Sequence, residues 1–119
     1  MRKIYPLGHK SSIRLLSSKG KIISSKEAKI IIFAVDKGNI VLKHGIHLAF
    51  AASKKIFSKA VDRNLIKRRF RGALQELIKN FDNTNTTILM LIIPRNGATA
   101  ANFETLKKLI SKSLKISDA

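Results

Sequence analysis

Between Lys54 and Arg71 the chain reads KKIFSKAVDRNLIKRRFR, which sets eight cations (Lys54, Lys55, Lys59, Arg63, Lys67, Arg68, Arg69 and Arg71) against the one carboxylate of Asp62. A guanidinium fork pairs two phosphate oxygens at once, and the amide of Asn64 both donates and accepts, so this set suits a folded polyanion better than a single small anion. On a helix, Asn64, Lys67, Arg68 and Arg71 fall at i, i+3, i+4 and i+7 and share one polar face. A solvated helix face offsets its cations with acids one turn away. Here those acids are missing, and the row repels itself until a polyanion neutralises it.

The other residues that could do chemistry do not form a set. His44 and His47 flank Gly45 at the start of an expected strand, and no Cys, Asp or Glu lies close in sequence to complete a metal site. His9 suits a helix end or a phosphate contact better than a general base, since no acid or nucleophile stands beside it. The carboxylates, at positions 27, 36, 62, 76, 82, 104 and 118, are too dispersed to pair as acid and base. Gly20 and Gly97 lie outside the strand, glycines, Lys-Ser/Thr, helix order of a phosphate-cradling loop. The expectation is a protein with no catalytic residue, no metal ligand and no organic cofactor of its own.

Composition supports a polyanion partner. Lys and Arg number 24 against 7 Asp and Glu, a net charge of +17 that exceeds what solubility requires. Nucleic acid is the first partner to consider and acidic membrane the second, but no stretch approaches the ~18 apolar residues of a membrane span. With 119 residues and no cysteine, the chain reads as a single globular, nucleic-acid-binding domain over 1–119 from a reducing compartment, the cytoplasm, with no membrane association. One Tyr, no Trp and six Phe make charge a larger contributor than base stacking.

These side chains need a frame. Residues 10–18 suggest a short helix with Ile13 and Leu16 on one side, closed by Gly20 in the left-handed position. Strands are expected at 30–35 and 40–42, joined by the turn Asp36-Lys37-Gly38-Asn39, and at 46–53, where Ile46, Leu48, Phe50 and Ala52 alternate with smaller or polar residues. From 58 to 81 the period becomes helical, with Ile66, Phe70, Ala73 and Leu77 on one stripe beside Leu74 and Phe81. The run 86–93 reads as a central strand covered on both faces. A last helix starts at the cap Asn102 and buries Phe103, Leu106, Ile110 and Leu114, leaving Lys107, Lys108, Lys112 and Lys115 wet. The order αβββαβα predicts an α+β two-layer sandwich: helices cover one face of a mixed four-stranded sheet and leave the other face free to bind.

Within this frame, Ser53-Lys54-Lys55, then Lys59-Ala60-Val61, then Arg63-Asn64-Leu65-Ile66-Lys67-Arg68-Arg69-Phe70-Arg71 resembles the signature of the ribonuclease P protein component family, SKK followed by G-x-AV-x-RNR-x-KR-x-x-R. Residues 7–20 resemble that family's first helix and closing glycine, and the last strand and helix fall where the family has them. Leu65 stands where the second motif arginine usually lies, and Phe57-Ser58 replaces a Val-Gly or Ile-Gly. Ile13 and Ser17 occupy first-helix positions where the family often has phenylalanines.

The resemblance implies a left-handed βαβ crossover, against the general right-handed rule. It implies that the helix with Arg63 to Arg71, joined by Lys54, Lys55 and Lys59, docks on a catalytic RNA. A cleft would guide the 5′ leader of precursor tRNA, lined by Ile13 and Ser17 and, if they face it, Phe33 and Phe50. Hydrolysis would belong to Mg²⁺ held mainly by the RNA subunit and substrate, with no obligate protein partner. A ribosomal protein of similar build is the alternative binding module; a protein nuclease with its own site fits poorly with dispersed carboxylates.

Overall fold

The computed structural model describes residues 4–7, 10–35, 45–79 and 87–117. The elements are β1 (Ile4–Pro6), α1 (Lys10–Lys19), β2 (Lys21–Ser24), β3 (Ala28–Val35), β4 (Gly45–Phe50), α2 (Ala60–Ile78), β5 (Thr87–Pro94), a one-turn 3₁₀ helix (Asn96–Ala98) and α3 (Phe103–Ser117). The most apolar run becomes the middle of the sheet, whose order is β1-β4-β5-β3-β2. β5 is parallel to β4 and antiparallel to β3, and α2 makes the crossover between the two parallel strands.

Register then sorts the side chains. Ile46, Leu48 and Phe50 lie opposite Ile88, Met90 and Ile92, and Ile32 and Ile30 flank Met90 and Ile92 from the other side. This face packs on Ile66, Phe70, Ala73 and Leu74 of α2 and on Leu106, Ile110 and Leu114 of α3. The intervening residues Ile31 and Leu89 point the other way, against Leu16 of α1 and Leu7, with Phe33, Ala49, Leu91 and Ile93 half-buried around them.

The fold class is the expected α+β mixed sheet, with three differences in detail. The sheet has five strands among the described residues, not four, and the order begins β1-α1-β2. β1 has three residues and β2 sits at the sheet edge with only Ile23 buried; edge strands this short and polar carry no readable alternation. The expected strand at 40–42, its turn at 36–39, and His9, His44 and Phe81 lie outside the described residues. Helices occupy both faces, because α1 packs over Ile31 and Leu89; the face expected to be open is open only beside α1.

Gly20 does not need a left-handed backbone. A Cβ there would stand 2.3 Å from the Leu16 carbonyl oxygen and 2.5 Å from the Ile31 side chain, so close approach of α1 to β3 requires the glycine. Gly45 is the described glycine with positive φ, 144°, at the start of β4.

At the start of α3, Asn102 caps as expected: its Oδ1 accepts from the Thr105 amide at 2.8 Å and from the Thr105 hydroxyl at 2.9 Å. Asn102→Ala should therefore destabilise the protein by about 1 kcal/mol in a urea melt. Phe103, expected in the core, is 37% exposed. In the first turn it faces Gly72 across the helix pair, 3.7 Å from where a Cβ would be, while Leu109 and Ser113 take the buried positions.

Candidate nucleic-acid interface

A surface that grips a polyanion must hold its donors still. The core side of α2 does this through Phe70, which is fully buried, with Ile66, Ala73, Leu74 and Ile78. The opposite side carries Asn64, Lys67, Arg68 and Arg71, all exposed. The two ion pairs among the described residues both belong to Lys107, so no described carboxylate neutralises this row. Asp62 sits in the first turn, where the helix dipole favours an acid.

Lys54 and Lys55 occupy the turn that follows β4, where the Ser53 hydroxyl accepts the Lys55 amide at 3.1 Å and the Ser53 carbonyl accepts the Phe57 amide at 2.8 Å. Phe57 is buried in the core and fixes this turn to the body, which accounts for an aromatic where the family pattern has an aliphatic residue. Lys59, at the N-cap position, is exposed.

Two of the expected binding cations also bond within the protein. Arg63 turns back, its Nη1 donating to the carbonyls of Phe57 at 2.7 Å and Ser58 at 3.2 Å; it closes the end of α2, where Lys59 makes no side-chain cap. Arg69 reaches towards α3, with Nη1 donating to Ala98 O at 3.3 Å and Thr99 O at 3.5 Å and Nη2 donating to Ala101 O. Residue type announces a cation, but only tertiary packing shows where its fork points. Arg69→Gln should cost about 1.5–3 kcal/mol in thermal or urea unfolding, the range for charge-assisted bonds to carbonyls, and should lower RNA affinity less than Arg68→Gln does.

Leu65 stands in place of a motif arginine and is 53% exposed; Val61, one turn earlier, is 75% exposed. The leucine therefore changes the surface of α2 and not its core. On the other flank of α2, Lys67 and Arg71 form one wall of a groove of about 370 Å³ whose opposite side includes Tyr5, Leu48 and Phe50. Sequence reasoning missed this groove, because its outer wall is the three-residue β1. His47 is buried and stacks on Tyr5 with ring centroids 5.1 Å apart.

Of the four candidate cleft residues, Phe33 and Phe50 are not brought to one place. Phe33 pairs with Leu89 and Phe50 with Ile92, an odd step along β5, so the two rings lie on opposite faces of the sheet. Phe50 packs towards α2, its ring centroid 6.3 Å from that of Phe70. Phe33 lies on the face that α1 partly covers, and Ser17 is exposed on that helix. Ile13 belongs to α1, with its side chain outside the described residues. Among the described residues, no three His, Cys, Asp or Glu side chains gather to share a metal ion, and no helix is long and apolar enough to cross a membrane.

A protein-family model described as Ribonuclease P matches residues 1–117. The ribonuclease P protein component of Rickettsia bellii is 35% identical over 113 residues, covering 93% of this chain and 92% of the relative. That of Rickettsia rickettsii (strain Sheila Smith) is 31% identical over 111 residues, covering 92% and 93%. Among solved structures, the Staphylococcus aureus RNase P protein superposes with a TM-score of 0.66 at 22% identity, over 97% of this chain and 96% of that one. The Thermotoga maritima RNase P protein gives 0.66 at 19% identity, over 92% and 94%.

Proposed function

The chain belongs to the ribonuclease P protein family, and from that premise we propose that the exposed face of α2 is the surface by which it holds the RNA of the holoenzyme. Ribonuclease P is a tRNA-processing endoribonuclease, and this chain is its protein component, working with ribonuclease P RNA. One observation supports the assignment of the surface above the others. Asn64, Lys67, Arg68 and Arg71 stand exposed on a helix whose other side is core, and none of their charges meets a described carboxylate. Lys54, Lys55 and Lys59 extend the same field at the start of the helix. Arg63 and Arg69 shape the surface by holding its two supporting loops.

The substrate is precursor tRNA, and its single-stranded 5′ leader lies along the part of the sheet beside α1, where Phe33 and Ser17 are found. Leader removal gives the mature tRNA 5′ end. Mg²⁺ is held by the RNA subunit and substrate; the described residues of this chain offer no ligand cluster for it, and no step is assigned to them through the metal. The protein acts as one domain over 1–119 in the cytoplasm, with no obligate protein partner. Phosphate contacts set position and seldom sequence, so recognition is of RNA shape and a single strand.

Capture of RNA on the tagged full-length protein in its own cells tests this. Sequencing should return ribonuclease P RNA as the enriched species. Ribosomal RNA in stoichiometric amount, without enrichment of ribonuclease P RNA, would place the chain with ribosomal binding modules instead.

A further inference from the structure

The helix pair on the sheet carries its charge in two separate lobes. α2 and α3 run side by side in the same direction: Lys107 Nζ donates to Glu76 Oε1 at 2.9 Å across an offset of 31 residues, and Phe103 faces Gly72 with the same offset. Arg68 is therefore level with the loop that precedes α3. Lys108, Lys112 and Lys115 are level with, and beyond, the end of α2 at Ile78. At about 1.5 Å of rise per residue, the centres of the two groups lie about 20 Å apart along the helix pair, and their nearest members, Arg71 and Lys108, about 9 Å.

The space between them is acidic or neutralised. Glu76 and Glu104 hold Lys107 at 2.9 Å and 3.9 Å, and the hydrogen bond that Lys107 donates to Glu76 raises the lysine above its ordinary pKa. With their centres ~20 Å apart, about twice the Debye length of about 8–10 Å near physiological salt, the two lobes act in the main on separate parts of a polyanion.

Lys108, Lys112 and Lys115, at i, i+4 and i+7, are exposed, and none pairs with a carboxylate among the described residues. With Ser111 they border a groove of about 350 Å³ that has Leu77 on its inner side and Glu104 at one end. The helix dipole accounts for a cation in the last turn, Lys115, but its effect fades within that turn and does not explain Lys108 or Lys112. Lysines at i, i+4 repel on an isolated helix. Glu104, the acid on that face, pairs with Lys107, and the three lysines left over match a phosphate backbone laid across them.

We infer that the C-terminal half of α3 is a second phosphate-contacting surface, which engages a segment of ribonuclease P RNA different from the one held by α2. The inference rests on the α2 assignment above and extends it: the protein bridges two RNA segments.

The chain has no cysteine, so Ser111→Cys and Val61→Cys each give a unique attachment point for an iron-EDTA probe on the full-length protein bound to ribonuclease P RNA. Hydroxyl-radical cuts from position 111 should fall on that RNA, in a segment not cut from position 61. In parallel, the triple variant Lys108→Gln, Lys112→Gln, Lys115→Gln should bind the RNA at least tenfold more weakly near physiological salt. Its plot of log affinity against log salt should flatten by about 2–3 units, with an unchanged thermal melt.

No cuts from position 111, cuts only on added precursor tRNA, cuts that coincide with those from position 61, or an unchanged salt slope would each overturn the inference while leaving the α2 assignment standing. Failure of the unmodified protein to bind ribonuclease P RNA would overturn both.

Discussion

Lys67→Gln, Arg68→Gln and Arg71→Gln combined should weaken binding to ribonuclease P RNA by about 10²–10³-fold near physiological salt while leaving the unfolding transition where it was. Each exposed cation contributes on the order of 1–1.5 kcal/mol through a charge-assisted contact that exchanges water for phosphate, and tenfold in affinity corresponds to about 1.4 kcal/mol. The slope of log affinity against log salt should lose about 2–3 units, because three fewer counterions are released. All three side chains are exposed and carry no protein hydrogen bond or ion pair among the described residues. That separates them from Arg63 and Arg69, whose loss would move the melt first. Filter binding across a salt series, with a thermal melt of the same preparation, reads both quantities. A variant that lost stability but kept its salt slope would mean that the face serves the fold.

Phe70→Ala should produce the opposite pattern. Phe70 of α2 is fully buried in the core that the sheet, α2 and α3 share, with Phe50 tilted against it, and truncating a core phenylalanine costs about 3–5 kcal/mol. Against a typical total of about 5–15 kcal/mol, that is a large part of the stability of a small domain. The midpoint of thermal unfolding should fall by roughly 10–20 °C. RNA affinity should fall with it at temperatures near the new midpoint and recover on cooling, since the outward donors are intact and only their anchor is weakened. Phe70→Leu, which keeps most of the apolar volume, should restore the larger part of both.

The two variants divide along the same line as legibility in the sequence. The run 87–94 is central in the sheet, α2 buries Ile66, Phe70, Ala73 and Leu74, and Asn102 caps α3, all as expected. In each case one physical rule acts locally: apolar period, unbroken hydrophobicity, or a side-chain oxygen three residues before an unpaired amide.

What stayed hidden depended on neighbours far away in the chain. Arg63 and Arg69 sit in the most basic segment, yet bond to carbonyls of loops that composition could not place beside them. Phe33 and Phe50 fall on opposite faces because β4 and β3 set their registers independently against β5. β2 and β1 hold too few buried side chains to show alternation. Phe103 keeps the helical period but lies where α3 begins, over the open space left by Gly72.

The candidate interface itself was the most legible part of the site, since exposure on a core-anchored helix follows from the spacing of Asn64, Lys67, Arg68 and Arg71. The groove behind Lys67 and Arg71 was hidden because it needs β1.

Cleavage of a leader-bearing tRNA precursor by ribonuclease P RNA at low Mg²⁺, with and without this protein, tests its role most directly. The protein alone should cut nothing, the RNA alone should be slow, and adding the protein should lower the Mg²⁺ concentration needed for release of the leader. The variant with Lys67, Arg68 and Arg71 replaced should require much more protein for the same rate. Equal cleavage with and without protein across the Mg²⁺ series, or cleavage by the protein without RNA, would contradict it.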